Sequence, residues 1–268
     1  MKTEKIGQKI FSGPKNSSKE FFRIGVKTFD SGDFLKVFEN KVDFFEIMAV
    51  EKNNYEFVKE LSLPIVIHSQ HRRFGINIAD KTKIEKNLSS INFARKLADE
   101  TNAKKIILHP GELDGKNSSL ENAIEFIKNI NDKRIIIENI PLEGTYRFGT
   151  KPREIKEIMK KTNSGFCFDI NHAIWTALEL KKDYSEIIKE FVKLKPTHYH
   201  LGGQIINNPS LPLKKREHLE FAKSDFDLKE VLRLIPKNAQ ITLETEPDIN
   251  KTLNDVKIMK ELMKELKV

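Results

Sequence analysis

Eight short apolar runs, each followed by a stretch with helical spacing, leave this chain few architectures. The runs fall at 21–28, 42–50, 63–69, 103–111, 133–141, 165–172, 196–203 and 239–247. Helical patterns follow at 33–40, 54–61, 83–100, 120–130, 152–161 and from the sixth run to 194, with a further one after the 202–224 loop and a last one over 251–267. Strands separated by helices are joined by right-handed crossovers and pair in parallel. Eight such units in 268 residues predict a single-domain α/β protein spanning 1–268, a (β/α)8 TIM barrel. The rival open doubly wound sheet calls for a glycine-rich phosphate loop after an early strand. Here the first run leads into Lys27-Thr28-Phe29-Asp30 instead.

The barrel supplies a test, because its functional residues gather at the C-terminal ends of the strands. Six consecutive runs end in residues that bind protons or metals: His68, His109, Glu138, Asp169, His200 and Glu244. Singly, each has an ordinary structural role; Asp169, for example, stands where a helix N-cap belongs. Together they converge on one pocket. Three carboxylates crowded there repel one another unless cations neutralise them, and bound metal does this. His198, two residues before His200, faces the same side one layer deeper and reads as a packed barrel histidine. Glu246 lies at the rim, and Glu46 on the second run faces the pocket without an identified partner. Cys167 reads as a small buried apolar residue, and Trp175 as packing at the start of the sixth helix.

Composition narrows the metal chemistry. One cysteine excludes an internal disulfide and a thiolate cage, which leaves carboxylates and the seven histidines as ligands. No apolar run approaches the length of a membrane span, and the start Met1-Lys2-Thr3-Glu4-Lys5 is polar, so the expectation is a soluble, cytoplasmic protein. The net charge of +8 suits a polyanionic partner, DNA or a phosphorylated small molecule, although much of the lysine lies on helical stretches as ordinary solvated charge.

At this point the residues resemble a family. His109-Pro110-Gly111, Glu138-Asn139, Asp169 with His172, His200-Leu201 and Leu243-Glu244-Thr245 are similar to the motifs of endonuclease IV, a branch of the xylose isomerase-like barrels. The resemblance implies zinc-dependent hydrolysis of a phosphodiester at abasic sites in DNA. It also implies a first metal on His68, His109 and Glu138, a second on Glu138, Asp169, His200 and Glu244, and a third on His172 and His218. Glu138, Asp169 and Glu244 would carry the catalysis. The superfamily's isomerases and epimerases imply an alternative: one Mn2+ or Mg2+ on Glu138, Asp169, His200 and Glu244, with Glu138 and Glu244 exchanging protons. A third reading is a barrel that binds metal or nucleic acid without turnover.

The chain departs from the endonuclease IV pattern where the third metal needs an aspartate. Arg216 stands there, within Lys214-Lys215-Arg216-Glu217-His218, and Gly202-Gly203 replaces an Asn-Asp pair. The expectation is therefore two Zn2+ ions, with Arg216 as a phosphate-binding fork in place of the third. Two long loops on the same face, 70–77 and 202–224, place Arg72, Arg73, Lys214, Lys215 and Arg216 near the pocket mouth. Arg72 and Arg73 are the other candidates for substrate phosphate.

Overall fold

The computed structural model describes residues 22–144 and 146–266. Phe21, the polar start and Lys267, each assigned a place above, lie outside the described residues. Eight parallel strands close a barrel in sequence order: β1 (Arg23–Thr28), β2 (Phe44–Ala49), β3 (Ile65–Ser69), β4 (Ile106–Leu108), β5 (Ile135–Glu138), β6 (Gly165–Asp169), β7 (His198–Leu201) and β8 (Gln240–Leu243). β1 pairs with both β2 and β8, for instance Val26 with Phe45 and with Leu243. The outer helices are α1 (Gly32–Phe38), α2 (Ile84–Glu100), α3 (Leu120–Ile130), α4 (Pro152–Thr162), α5 (Ile170–Glu179), α6 (Tyr184–Val192), α7 (Leu228–Leu234) and α8 (Ile249–Glu265). The expected barrel is therefore present, and no described helix is long and apolar enough to cross a membrane.

Two connections differ from the sequence expectation. The stretch expected as a helix over 54–61 is a 3-10 turn, Glu56–Glu60. Tyr55 Oη pins its start by donating to Met48 O at 2.6 Å and accepting from Val50 N at 2.7 Å. Pro64 then disfavours helical backbone just before it. The long helix expected after β6 is two helices. Lys181 adopts φ +52°, and Asp183 starts α6 by accepting from Ser185 N at 2.7 Å.

Alternation along the strands divides the side chains into two cores. One set, including Ile24, Val26, Phe45, Ile67, Ile137, Phe168 and Ile241, packs outward under the helices. The other set points into the barrel, where Phe44, Val66, Ile107, Ile136 and Cys167 form a compact apolar plug. β1 contributes Gly25 at that level because a Cβ there would overlap the Phe44 ring. Two residues further along every strand the inward side chain is polar: Lys27, Glu46, His68, His109, Glu138, Asp169, His200 and Glu244. Packing below that is apolar except for His198 and Thr242, and ionisable groups above, follow from a two-residue step in all eight strands.

Candidate metal centre

This polar ring forms the floor of a cavity of about 760 Å3, whose lining includes Lys27, His68, His109, Glu138, His172, His218 and Glu244. Glu138 is its centre. Its Oε2 lies 3.0 Å from both His68 Nε2 and His109 Nε2, and its Oε1 lies 3.2 Å from His200 Nδ1 and 3.6 Å from His172 Nδ1. Three groups of donor atoms overlap at single residues: His68, His109 and Glu138; Glu138, Asp169, His200 and Glu244; and Asp169, His172 and His218; two further groups, Glu46 with His68 and His200 and Cys167 with His198 and His200, share His200 with the second. Within each group the donors lie within 4.8 Å of one another.

The imidazoles are oriented as ligands are, with the nitrogen away from the group tied to an acceptor. His68 Nδ1 bonds Ser69 O at 2.8 Å and His218 Nδ1 bonds Glu244 O at 3.0 Å, whereas His172 Nδ1 bonds Asn139 O at 2.8 Å while also lying 3.5 Å from Asp169 Oδ2. His200 uses Nε2 instead, donating to Glu46 Oε2 at 3.0 Å. Asp169 has two tasks. Its Oδ1 caps α5 by accepting from His172 N at 2.7 Å, as a residue in that position should, while its buried Oδ2 faces the group with no hydrogen-bond partner.

The carboxylates fit a divalent cation. Besides Asp169 Oδ2, the buried oxygens Glu244 Oε2, Glu46 Oε1 and Glu217 Oε2 lack hydrogen bonds. His200 Nδ1 sits 2.6 Å from Glu244 Oε2, outside hydrogen-bond angles. Burial pushes Asp169 up to about 7, because ionising a carboxylate here without a counter-charge is costly. For Glu138 burial acts in the same direction, but His109 and His200 outweigh it and hold the carboxyl well below its ordinary value. Hard oxygen and imidazole donors with one hydrophobic thiol nearby suit zinc, manganese or magnesium rather than a soft ion.

Two ring members went unassigned in the sequence. Lys27 of β1 is buried, and its Nζ donates to Glu244 Oε1 at 2.7 Å and lies 3.2 Å from Glu46 Oε1. Glu46 is the carboxylate that orients His200, and it also accepts from Thr242 Oγ1 at 2.7 Å and from His198 Nε2 at 3.1 Å. His198 is the packed barrel histidine expected, fully buried beneath the ring. The two-residue step from Gly25 and Phe44 identifies Lys27 and Glu46 once both strands are placed in the barrel. His71, read only as part of a loop, stacks on His109 with ring centroids 4.6 Å apart and lines the cavity. Trp175 and Glu246 line it as well.

The phosphate candidates divide. Arg72 and Arg73 are on the cavity wall, as are Lys214 and Arg147. Arg72 pairs with Glu112 at 3.2 Å. Arg216 is not on the wall. The expectation that it reaches the pocket mouth is corrected by its surroundings: it is 6% exposed, its Nε donates to Leu211 O, and its carbonyl accepts from Ile205 N. With its Nε tied to its own loop and its side chain off the cavity lining, Arg216 does not present its fork to a ligand there. The neighbouring Glu217 lines the cavity instead, with Oε2 3.9 Å from His218 Nε2. Burial, with Asp169 and Glu244 nearby, pushes Glu217 up to about 9.

Comparison with known proteins agrees with this architecture. The chain resembles a D-tagatose 3-epimerase-like protein of known structure at 20% identity, with a TM-score of 0.73 over 91% of this chain and 98% of that one. It resembles endonuclease IV from Thermus thermophilus at 17% identity, with a TM-score of 0.69 over 91% and 99%. Mannonate dehydratase from Streptococcus suis serotype 2 is similar at 11% identity, with a TM-score of 0.60 over 91% and 93%. At these identities the likeness shows the fold. No curated protein sequence matches the chain. The family model described as xylose isomerase-like TIM barrel matches residues 36–267, and the chain belongs to that family.

Proposed function

We propose that this protein is a metal-dependent hydrolase that cleaves a phosphodiester, in the manner of an endonuclease IV-like enzyme. The observation that carries this reading is the use of both Glu138 oxygens. One faces His68 and His109, the other faces His200, so a single carboxylate is shared by two donor groups. Shared carboxylates are what paired ions require, and paired ions suit displacement at phosphorus.

His68, His109 and Glu138 would hold one ion, and Glu138, Asp169, His200 and Glu244 a second. Bound there, zinc would supply Lewis acidity and a water that ionises near neutral pH. The chain's own groups do the rest. Glu46 keeps His200 in one tautomer, and the Ser69, Asn139 and Glu244 carbonyls do the same for His68, His172 and His218. His172 and His218 stand beside Asp169 on the cavity lining. Arg72, Arg73, Arg147 and Lys214 on the wall offer charged donors to phosphate oxygens. DNA fits both this wall and the net charge of +8, and a phosphorylated small molecule fits the cavity.

A second reading is supported by a separate observation. Glu138, Asp169, His200 and Glu244 converge as a complete four-residue group without His68 or His109. Such a group suits one Mn2+ or Mg2+ and proton exchange beside a sugar carbonyl. The test is direct: purified protein with zinc should nick a duplex containing an abasic site, EDTA should abolish nicking, and Asp169→Asn should be folded and inactive. Turnover of a ketose or its phosphate with manganese, without nicking of abasic, undamaged or single-stranded DNA, would select the isomerase. Metal uptake without either reaction would leave a binding barrel.

A further inference from the structure

Every strand of the barrel places one side chain at the level of the metal centre, and that ring is electrostatically unbalanced. It holds four carboxylates, Glu46, Glu138, Asp169 and Glu244, three imidazoles and one ammonium, Lys27. Lys27 is not spread evenly over the acids. Its Nζ donates to Glu244 Oε1 at 2.7 Å and lies 3.2 Å from Glu46 Oε1, an oxygen with no hydrogen bond of its own. Glu244 is thereby divided: one oxygen belongs to the lysine, and the other, Oε2, faces His200 Nδ1 and the Glu138–Asp169–His200–Glu244 group. The companion group of His68, His109 and Glu138 includes no residue that Lys27 bonds.

We propose that Lys27 is a fixed cation built into the metal centre, which makes Glu244 a one-oxygen ligand and renders the Glu138–Asp169–His200–Glu244 site the weaker and exchangeable of the two. The inference rests on the metal-binding reading above. A unit positive charge hydrogen-bonded to a ligand repels a divalent ion on that ligand, and the repulsion is strong where water is excluded. The same ammonium also supplies part of the positive charge that the acids require, so the barrel has some compensation before any ion binds. No ligand of the His68–His109–Glu138 site is hydrogen-bonded to Lys27, so the repulsion there is weaker and that site fills first.

The test uses the full chain, stripped with EDTA, dialysed and titrated with Zn2+ by calorimetry against a competing chelator. Wild-type protein should show a tight and a weak class of site. Lys27→Gln keeps a hydrogen bond to Glu244 but removes the charge, and should tighten the weak class by ~10-fold or more, within the usual range of coupling between sites. Lys27→Arg keeps the charge and should resemble wild type. After EDTA treatment Lys27→Gln should melt below wild type and recover with Zn2+. A lysine with a purely structural role predicts equal zinc affinities in Lys27→Gln and wild type, and that result overturns the proposal alone. Absence of zinc uptake by wild type overturns the metal reading as well.

If Lys27→Gln does not fold, wild-type protein labelled with 13C at lysine Cε decides the question. The Lys27 signal is identified by its absence from Lys27→Arg. It should move with the second equivalent of Zn2+, not the first. Movement with the first equivalent, or none at all, contradicts the proposal.

Discussion

Glu46 accepts a hydrogen bond from His200 Nε2 at 3.0 Å across the interior of the barrel, from β2 to β7. This contact fixes which imidazole nitrogen faces Glu138, Asp169 and Glu244. Burial opposes a charged ring at His200, but the surrounding anionic groups raise its pKa well above the ordinary value. Nδ1 is thus the nitrogen that an incoming ion would meet. Glu46→Gln should weaken zinc binding by roughly 10- to 100-fold, the usual cost of losing such a supporting carboxylate. Calorimetric titration of stripped protein measures it. Unchanged affinity would show that packing alone orients His200.

Because both Glu138 oxygens face donor groups, Glu138→Gln should remove more than one equivalent of metal. Elemental analysis of the dialysed variant provides the count. Loss of one equivalent or fewer would show that the two groups bind independently. In a crystal of the loaded protein the paired ions should lie ~3.5 to 4 Å apart.

Arg216 is a structural residue in its loop. Arg216→Ala should lower stability by about 1.5 to 3 kcal/mol, the scale of a buried hydrogen bond from a charged group. Metal content and the KM for a phosphodiester should be nearly unchanged. Chemical denaturation and steady-state kinetics separate the outcomes. A raised KM with unaltered stability would return the arginine to the cavity.

Stability should also respond to pH through Asp255 of α8. Burial pushes this carboxyl up to about 6, outweighing the Phe221 N–H that it accepts at 2.8 Å. Its folded value lies above the unfolded value of ~3.9, so the fold favours the protonated acid. That contribution is present below about pH 4 and is lost as pH rises through 6. Asp255→Asn should therefore gain stability relative to wild type between pH 4 and 6, with a constant difference above pH 7. Urea unfolding at several pH values measures it; a difference independent of pH contradicts the assignment.

The barrel was legible in the chain because most of its strands and helices announce themselves over a short run of neighbouring residues. Periodicity is a local property. The ends of strands three to eight were legible for the same reason, since His68, His109, Glu138, Asp169, His200 and Glu244 each follow an apolar run by a fixed step. The family resemblance then sorted them into the overlapping groups that the fold brings within 4.8 Å.

What tertiary structure decided lies where local pattern carries no information. Lys27 and Glu46 were as visible as the other six, but their partners Glu244 and His200 lie 217 and 154 residues away, and only closure of β1 against β8 brings Lys27 to Glu244. Loop side chains were harder still. Arg216, Glu217 and His218 are consecutive, yet the first turns into its loop and the next two line the cavity, because pairing of Gly203 with Leu219 folds the segment back and His218 adopts φ +54°. A strand imposes a two-residue step on its side chains, so sequence alone determined which residues could form the ring. An irregular loop imposes none. The direction of each side chain there depends on acceptors such as Leu211 O that exist only after the chain has folded.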